Sequence, residues 1–162
     1  MNKPINISKI YVLSFSILIA IIDQYSKYLA SRGLSSGQVK TFIPHVLQFR
    51  LAINYGAAFS LFSNLSGLLG LLSITFSTIL IFYIIKSSNL IAIKAIGLSF
   101  LLGGSLGNCI DRLLRGYVYD FIELIPINFP IFNLADISIN IGILCIIPVS
   151  YTHLTLPTIC SV

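Results

Sequence analysis

Gly103-Gly104-Ser105-Leu106-Gly107-Asn108-Cys109-Ile110-Asp111-Arg112 is the stretch whose reading decides the architecture. It closes an apolar run that begins at about Ala92. Gly103 and Gly107 stand four residues apart, and so do Asn108 and Arg112. At helical spacing Asn108, Asp111 and Arg112 therefore share one face. Small residues inside an apolar helix let a second helix approach closely, as in transmembrane bundles. From Ala92 to Ile110 the run has about the 20 residues needed to cross ~30 Å of hydrocarbon. Its polar end reads either as a packing face with interfacial charges or as support for a carboxylate, with Asn108 orienting it and Arg112 pairing with it.

Working outward, three more runs have this character. The first goes from Ile10 to Ala30 and carries Asp23-Gln24-Tyr25-Ser26-Lys27 near its end; the second goes from Leu68 to Ile85, with a helical lead-in from Ala57; the last goes from about Asn133 to Val149. A cleaved signal peptide does not fit the first run, which is long and followed by the others. Charged residues make up 9% of the chain, against roughly 25% in soluble domains. Hydrophobic residues reach 56%, with a mean hydropathy of +0.95. A soluble domain of 162 residues has too little interior to hide that much apolar surface. The expected fold is an all-α membrane protein with four transmembrane helices. A small β-rich segment lies between the first two, since Val46 to Leu51 alternates like a short strand. Residues 1–149 form a single four-span domain. Residues 150–162, rich in Ser, Thr and Pro and without Lys or Arg, read as an atypical polar tail, either a natural extension or a non-native one.

The net charge of +5 comes from basic residues lying mostly between apolar runs. Their expected neighbours are anionic lipid headgroups, not nucleic acid. Lys3, Lys9, Lys86 and Lys94 fall on the side of the termini, and Lys27, Arg32, Lys40, Arg50, Arg112 and Arg115 on the other. Charge counting alone therefore leaves the orientation undecided. Cys109, Cys145 and Cys160 form no CxxC pattern, and His45 and His153 no HExxH. No metal or cofactor is expected.

The five acidic residues are Asp23, Asp111, Asp120, Glu123 and Asp136, and each sits at or near the end of an apolar segment on one side of the membrane. Ionisable groups in such places are expensive and usually functional. Asp120 and Asp136 are flanked by apolar residues. Two carboxylates brought together in a low dielectric share one proton. One can then act as base on a water while the other donates to a carbonyl oxygen. A proton relay would use the same pair. Asp23 and Lys27, at i,i+4, fit a structural pair; Asn54 fits a helix cap or a peptide-binding group.

Five segments in order now resemble a known motif set: Asp23 to Lys27, Asn54-Tyr55-Gly56-Ala57-Ala58-Phe59-Ser60, Gly103 to Arg112, Gly116-Tyr117-Val118-Tyr119-Asp120-Phe121, and Phe132-Asn133-Leu134-Ala135-Asp136. They resemble lipoprotein signal peptidase (signal peptidase II), a bacterial intramembrane aspartyl peptidase, over about Ser8 to Pro148. The resemblance implies a multi-pass protein of the bacterial cytoplasmic (inner) membrane. Its termini would be cytoplasmic, and the β-rich segment and active site would lie at the extracytoplasmic face. It implies cleavage of prolipoproteins on the N-terminal side of a diacylglyceryl-modified cysteine, by a monomer among membrane lipids. Asp120 and Asp136 become the catalytic dyad. Asp23, Lys27, Asn54, Gly56, Gly107, Asn108, Asp111, Arg112, Asn133 and Ala135 become substrate-binding or supporting residues. The last helix departs from the pattern: the family stays apolar for longer and finishes on basic residues, whereas Pro148 leads into the tail.

Rival readings are a small proton-coupled transporter or a non-enzymatic membrane subunit, though the halves show no inverted repeat. Gly103-Gly104-Ser105-Leu106-Gly107 also fits the G-x-S-x-G pattern of serine hydrolases, which would require a base on another span. Neither His45 nor His153 is expected within one. Presenilin-type proteases share Tyr119-Asp120, but their second motif is Gly-x-Gly-Asp.

Overall fold

A computed structural model describes residues 7–35, 37–56, 65–88, 90–127 and 129–154, with side chains as far as Ile147. The order of elements is α1 (Lys9–Gly33), β1 (Val39–Ile43), β2 (Leu47–Asn54), α2 (Ser66–Lys86), α3 (Ala92–Arg115), β3 (Val118–Leu124) and α4 (Leu134–Leu154). Among the described residues, α1, α2 and α3 are long and apolar enough to cross a membrane, and α4 is apolar over Leu134–Ile147. The expected lead-in from Ala57 lies outside the described residues, as does Cys160.

The central helix is α3, which packs against α1, α2 and α4. Its glycines are the reason. A methyl group at Gly103 would sit 2.6 Å from Cβ of Ile19 on α1, and one at Gly104 would sit 2.5 Å from the Ala135 carbonyl of α4. Neither neighbour could accommodate it. The outer faces are apolar: Ile17, Ile21 and Tyr25 of α1 and Leu71, Ile79 and Phe82 of α2 are exposed. Buried instead are Asp23, Lys27, Asn108, Asp111, Asp120 and Asn133. That inversion suits a hydrocarbon solvent.

The structure corrects several expectations. The third helix does not stop at Ile110 but runs to Arg115, because the first residue suited to a left-handed cap is Gly116 (φ 78°), whose N–H bonds the Arg112 carbonyl at 3.1 Å. Asp111 and Arg112 are thus helical, as their spacing with Asn108 requires. The β-rich segment is also larger than one strand between the first two helices. It is an antiparallel sheet ordered β1-β2-β3, and β3 comes from the segment after α3, where Val118 to Ile122 is rich in aromatic and β-branched residues. Asp120 faces Ala52 across the β2–β3 ladder. On its other side β3 is bridged to the chain entering α4, with the Ile122 N–H on the Phe132 carbonyl at 2.9 Å and the return bond at 3.0 Å. This bridge sets Asn133 beside Asp120.

The helix α4 also extends past Val149 to Leu154. Pro148 removes one N–H from the ladder, and no glycine or second proline follows before Leu154. His153 therefore lies within a helix, against expectation. It stands roughly 27 Å along the axis from Ala135, at 1.5 Å rise per residue.

Candidate active site

Asn133 precedes α4, and its side-chain oxygen accepts the Asp136 N–H at 3.0 Å. Asp136 Oδ2 in turn accepts the Asn133 N–H at 3.2 Å. This reciprocal pair is a capping box, satisfying donors that a helix start leaves open. It also holds the Asp136 carboxylate in one place. Asp136 Oδ1 accepts the Asn108 amide N–H at 2.9 Å.

Asp120 sits on β3, with 3% of its surface exposed. Its Oδ1 accepts Asn133 Nδ2 at 2.6 Å and its Oδ2 accepts Asn54 Nδ2 at 2.8 Å. Asn54 is itself fixed, since its oxygen accepts the Gly56 N–H at 2.9 Å. One residue, Asn133, thus ties the two aspartates together. Burial pushes the Asp120 carboxyl up to about 6; the negative charge of Asp136 adds to the rise, and the Asn54 and Asn133 hydrogen bonds and the Lys27 charge oppose it. A carboxyl in this range can hold or release a proton near neutral pH.

Both aspartates line one cavity of about 650 Å³. Its polar wall holds Asn54, Gly56, Asn108, Arg112, Asp120, Asn133 and Asp136, and its apolar wall includes Ile127, Phe129, Ile131, Phe132, Ile137 and Ile139. Arg112 donates from Nη2 to the Gly56 carbonyl at 3.2 Å, while its buried Nε has no partner among the described residues.

The other expected site residues form a second cluster behind this wall. Lys27, 1% exposed, meets Asp23 at 2.7 Å, Asp111 at 2.8 Å and Asn108 Oδ1 at 2.9 Å. Asp23 Oδ1 accepts the Ala135 N–H at 2.8 Å, so α1 caps an open donor at the start of α4. Gly107 is required there, because a side chain would meet Asp23 Oδ2 at 2.5 Å. Asp23, Lys27, Gly107, Asp111 and Ala135 are thus supports that do not line the cavity. Glu123 lies apart, held by Arg50 at 2.5 Å and Gln48 at 2.7 Å.

Two members were missed from sequence. Arg115 pairs with Asp111, and the i,i+4 spacing signalled it. Gln24 donates to the Gly107 carbonyl at 3.0 Å and to Asp111 at 3.2 Å, and its place inside the Asp23 to Lys27 segment was the available signal. The Asn133-x-x-Asp136 capping box was also legible.

Ser105 shares a hydrogen bond with Ser77 at 2.8 Å, between α3 and α2. No base meets it among the described residues, and His45 is exposed on the β1–β2 turn. The serine-hydrolase reading lacks its base. Ser105→Ala is expected to retain most activity; loss of turnover in a folded S105A protein would revive that reading.

Comparison with known proteins gives the family. The family model for signal peptidase (SPase) II matches residues 15–152. A lipoprotein signal peptidase of Parasynechococcus marenigrum is 44% identical over 79% of this chain and 80% of its own. One of Enterococcus faecalis is 38% identical over 85% of this chain and 84% of its own. A solved bacterial membrane enzyme superposes with a TM-score of 0.88 at 29% identity, covering 99% of each chain. The family match over most of the length, with relatives this similar, means that the chain belongs to the signal peptidase II family.

Proposed function

We propose that this chain is an aspartyl endopeptidase that removes the signal peptide from prolipoproteins on the N-terminal side of a diacylglyceryl-modified cysteine, with Asp120 and Asp136 as the dyad. The observation that carries this is the shared hold of Asn133 on both aspartates at the wall of one cavity, with Asp120 buried and its carboxyl raised to about 6. One carboxylate takes a proton from a water as it attacks the scissile carbonyl. The other, protonated, donates to the carbonyl oxygen, and a proton then passes to the leaving nitrogen. The apolar wall suits an apolar signal segment, and Arg112 and Asn54 offer polar contacts to its backbone.

In the same reading α4 is a fourth span, the termini are cytoplasmic, and the sheet and cavity lie at the extracytoplasmic face of the inner membrane. Residues 1–149 act as one monomeric domain among membrane lipids. The direct test is a gel-shift cleavage assay of the purified protein on a diacylglyceryl prolipoprotein; no cleavage by the wild type would overturn the proposal. Asn108→Ala and Arg112→Ala should each lower turnover with the protein still folded, since carboxylates lose rate when their hydrogen-bonded supports go. Wild-type rates in both would return this face of α3 to plain packing.

A further inference from the structure

We infer that Lys27 is a positioning residue for cleavage: its ammonium fixes the polarity of Asn108, so that the amide N–H, and not the amide oxygen, meets Asp136. The inference rests on the proposed dyad.

An asparagine amide is nearly symmetric in shape, so packing alone does not choose which end faces a neighbour. Chemistry chooses here. An ammonium has donors and no acceptor. The Asn108 atom 2.9 Å from Lys27 must therefore be the oxygen. Asn133 Nδ2 meets the same oxygen at 3.2 Å, and that amide is itself oriented because its oxygen accepts the Asp136 N–H at 3.0 Å. Asn108 Nδ2 is then left to donate to Asp136 Oδ1 at 2.9 Å. Lys27 is held in turn by Asp23 and Asp111, at 2.7 and 2.8 Å. Lys27 does not line the cavity, so it reaches the dyad only through this amide or through its field.

The groups around the Asp136 carboxylate are Asn108 and Arg112 from α3, Asp120 from β3, Asn133 from the entry to α4, and Lys27 from α1 one amide away. Without the ammonium, the amide keeps only the longer, neutral bond from Asn133 at 3.2 Å against the flip, and Asn108 presents its oxygen to Asp136 more often. An ionised carboxylate then loses a donor and faces a lone pair, which favours its protonated form. The acidic limb of the pH–rate profile should move to higher pH by about one unit, a tenfold change in proton affinity. KM should change little.

The test uses the full chain and the prolipoprotein assay across both limbs of the profile. Lys27→Met leaves Asp23 without its counter-ion, so the working variant is K27M/D23N, which keeps the charge balance and an oxygen for the Ala135 N–H. We expect the upward shift in K27M/D23N, a return close to wild type in Lys27→Arg, and no further shift when K27M/D23N is placed on Asn108→Ala. An unshifted profile in K27M/D23N overturns the inference, as does an equal shift in the Asn108→Ala background, which would mean that Lys27 acts by its field alone. Asn108→Asp keeps the Lys27 contact but puts an oxygen toward Asp136. It must shift the limb upward as well, and failure to do so overturns the relay even if K27M/D23N does not fold. Absence of cleavage by the wild type would instead bring down the dyad reading itself.

Discussion

Asp120→Asn and Asp136→Asn should each lose cleavage by about 10²–10⁴-fold or more, the usual scale for removing a general acid or base. An amide cannot take a proton from water or hold one for the carbonyl oxygen. The control is Glu123→Gln, because Glu123 is engaged with Arg50 and Gln48 on the sheet and does not line the cavity. It should cleave near the wild-type rate. In D120N one amide N–H must face a donor, either Asn54 or Asn133, so stability should fall by about 1 kcal/mol while the protein remains folded. The wild-type rate should also decline as pH rises from the acid side through about 6. A carboxyl raised to about 6 keeps its proton above the ordinary carboxylate range, and the function that needs the proton is lost as pH climbs through that value. A bound peptide removes water and moves the limb further up, and the apparent values belong to the pair. A D120N or D136N protein cleaving at a rate comparable to wild type would defeat the dyad.

Lys27→Met alone should be among the most destabilising single substitutions in the chain. Lys27, Asp23 and Asp111 are 1%, 0% and 0% exposed. Removing one partner of such a buried set costs about 3–5 kcal/mol, because a charge is left without compensation. Asp111 keeps Arg115, but Asp23 is left with the Ala135 N–H and a long contact at 3.4 Å to Gln24. Adding Asp23→Asn should recover most of the loss, since the new amide has no charge to bury. Thermal unfolding in detergent of wild type, K27M and K27M/D23N measures both steps. Equal midpoints for all three would mean that water reaches the cluster and the pair is only superficial.

Much of this was legible in the residues. The apolar runs and the scarcity of charge lead to membrane helices because no small interior can bury them. The spacing of Gly103 and Gly107 leads to close helix contacts. The apolar neighbours of Asp120 and Asp136 lead to carboxylates drawn inward, and both line one cavity, with Asp120 buried. The helix start at Asn133 was written as a capping box, which depends only on neighbours three residues apart.

Other features depend on residues that meet only after folding. β3 joins the sheet because its backbone finds β2, a partner some 70 positions earlier. The division of the polar residues into a cavity wall and a buried support behind it follows from the rotation of α3 against α1 and α4, which puts Asn108 between Lys27 and Asp136. Gln24 joins the support by the same rotation. Local sequence determines which segments become helices and which side chains carry charge, because those choices rest on neighbours within a turn. Only the tertiary structure decides which end of an amide faces a carboxylate, because that choice belongs to the donor arriving from another helix.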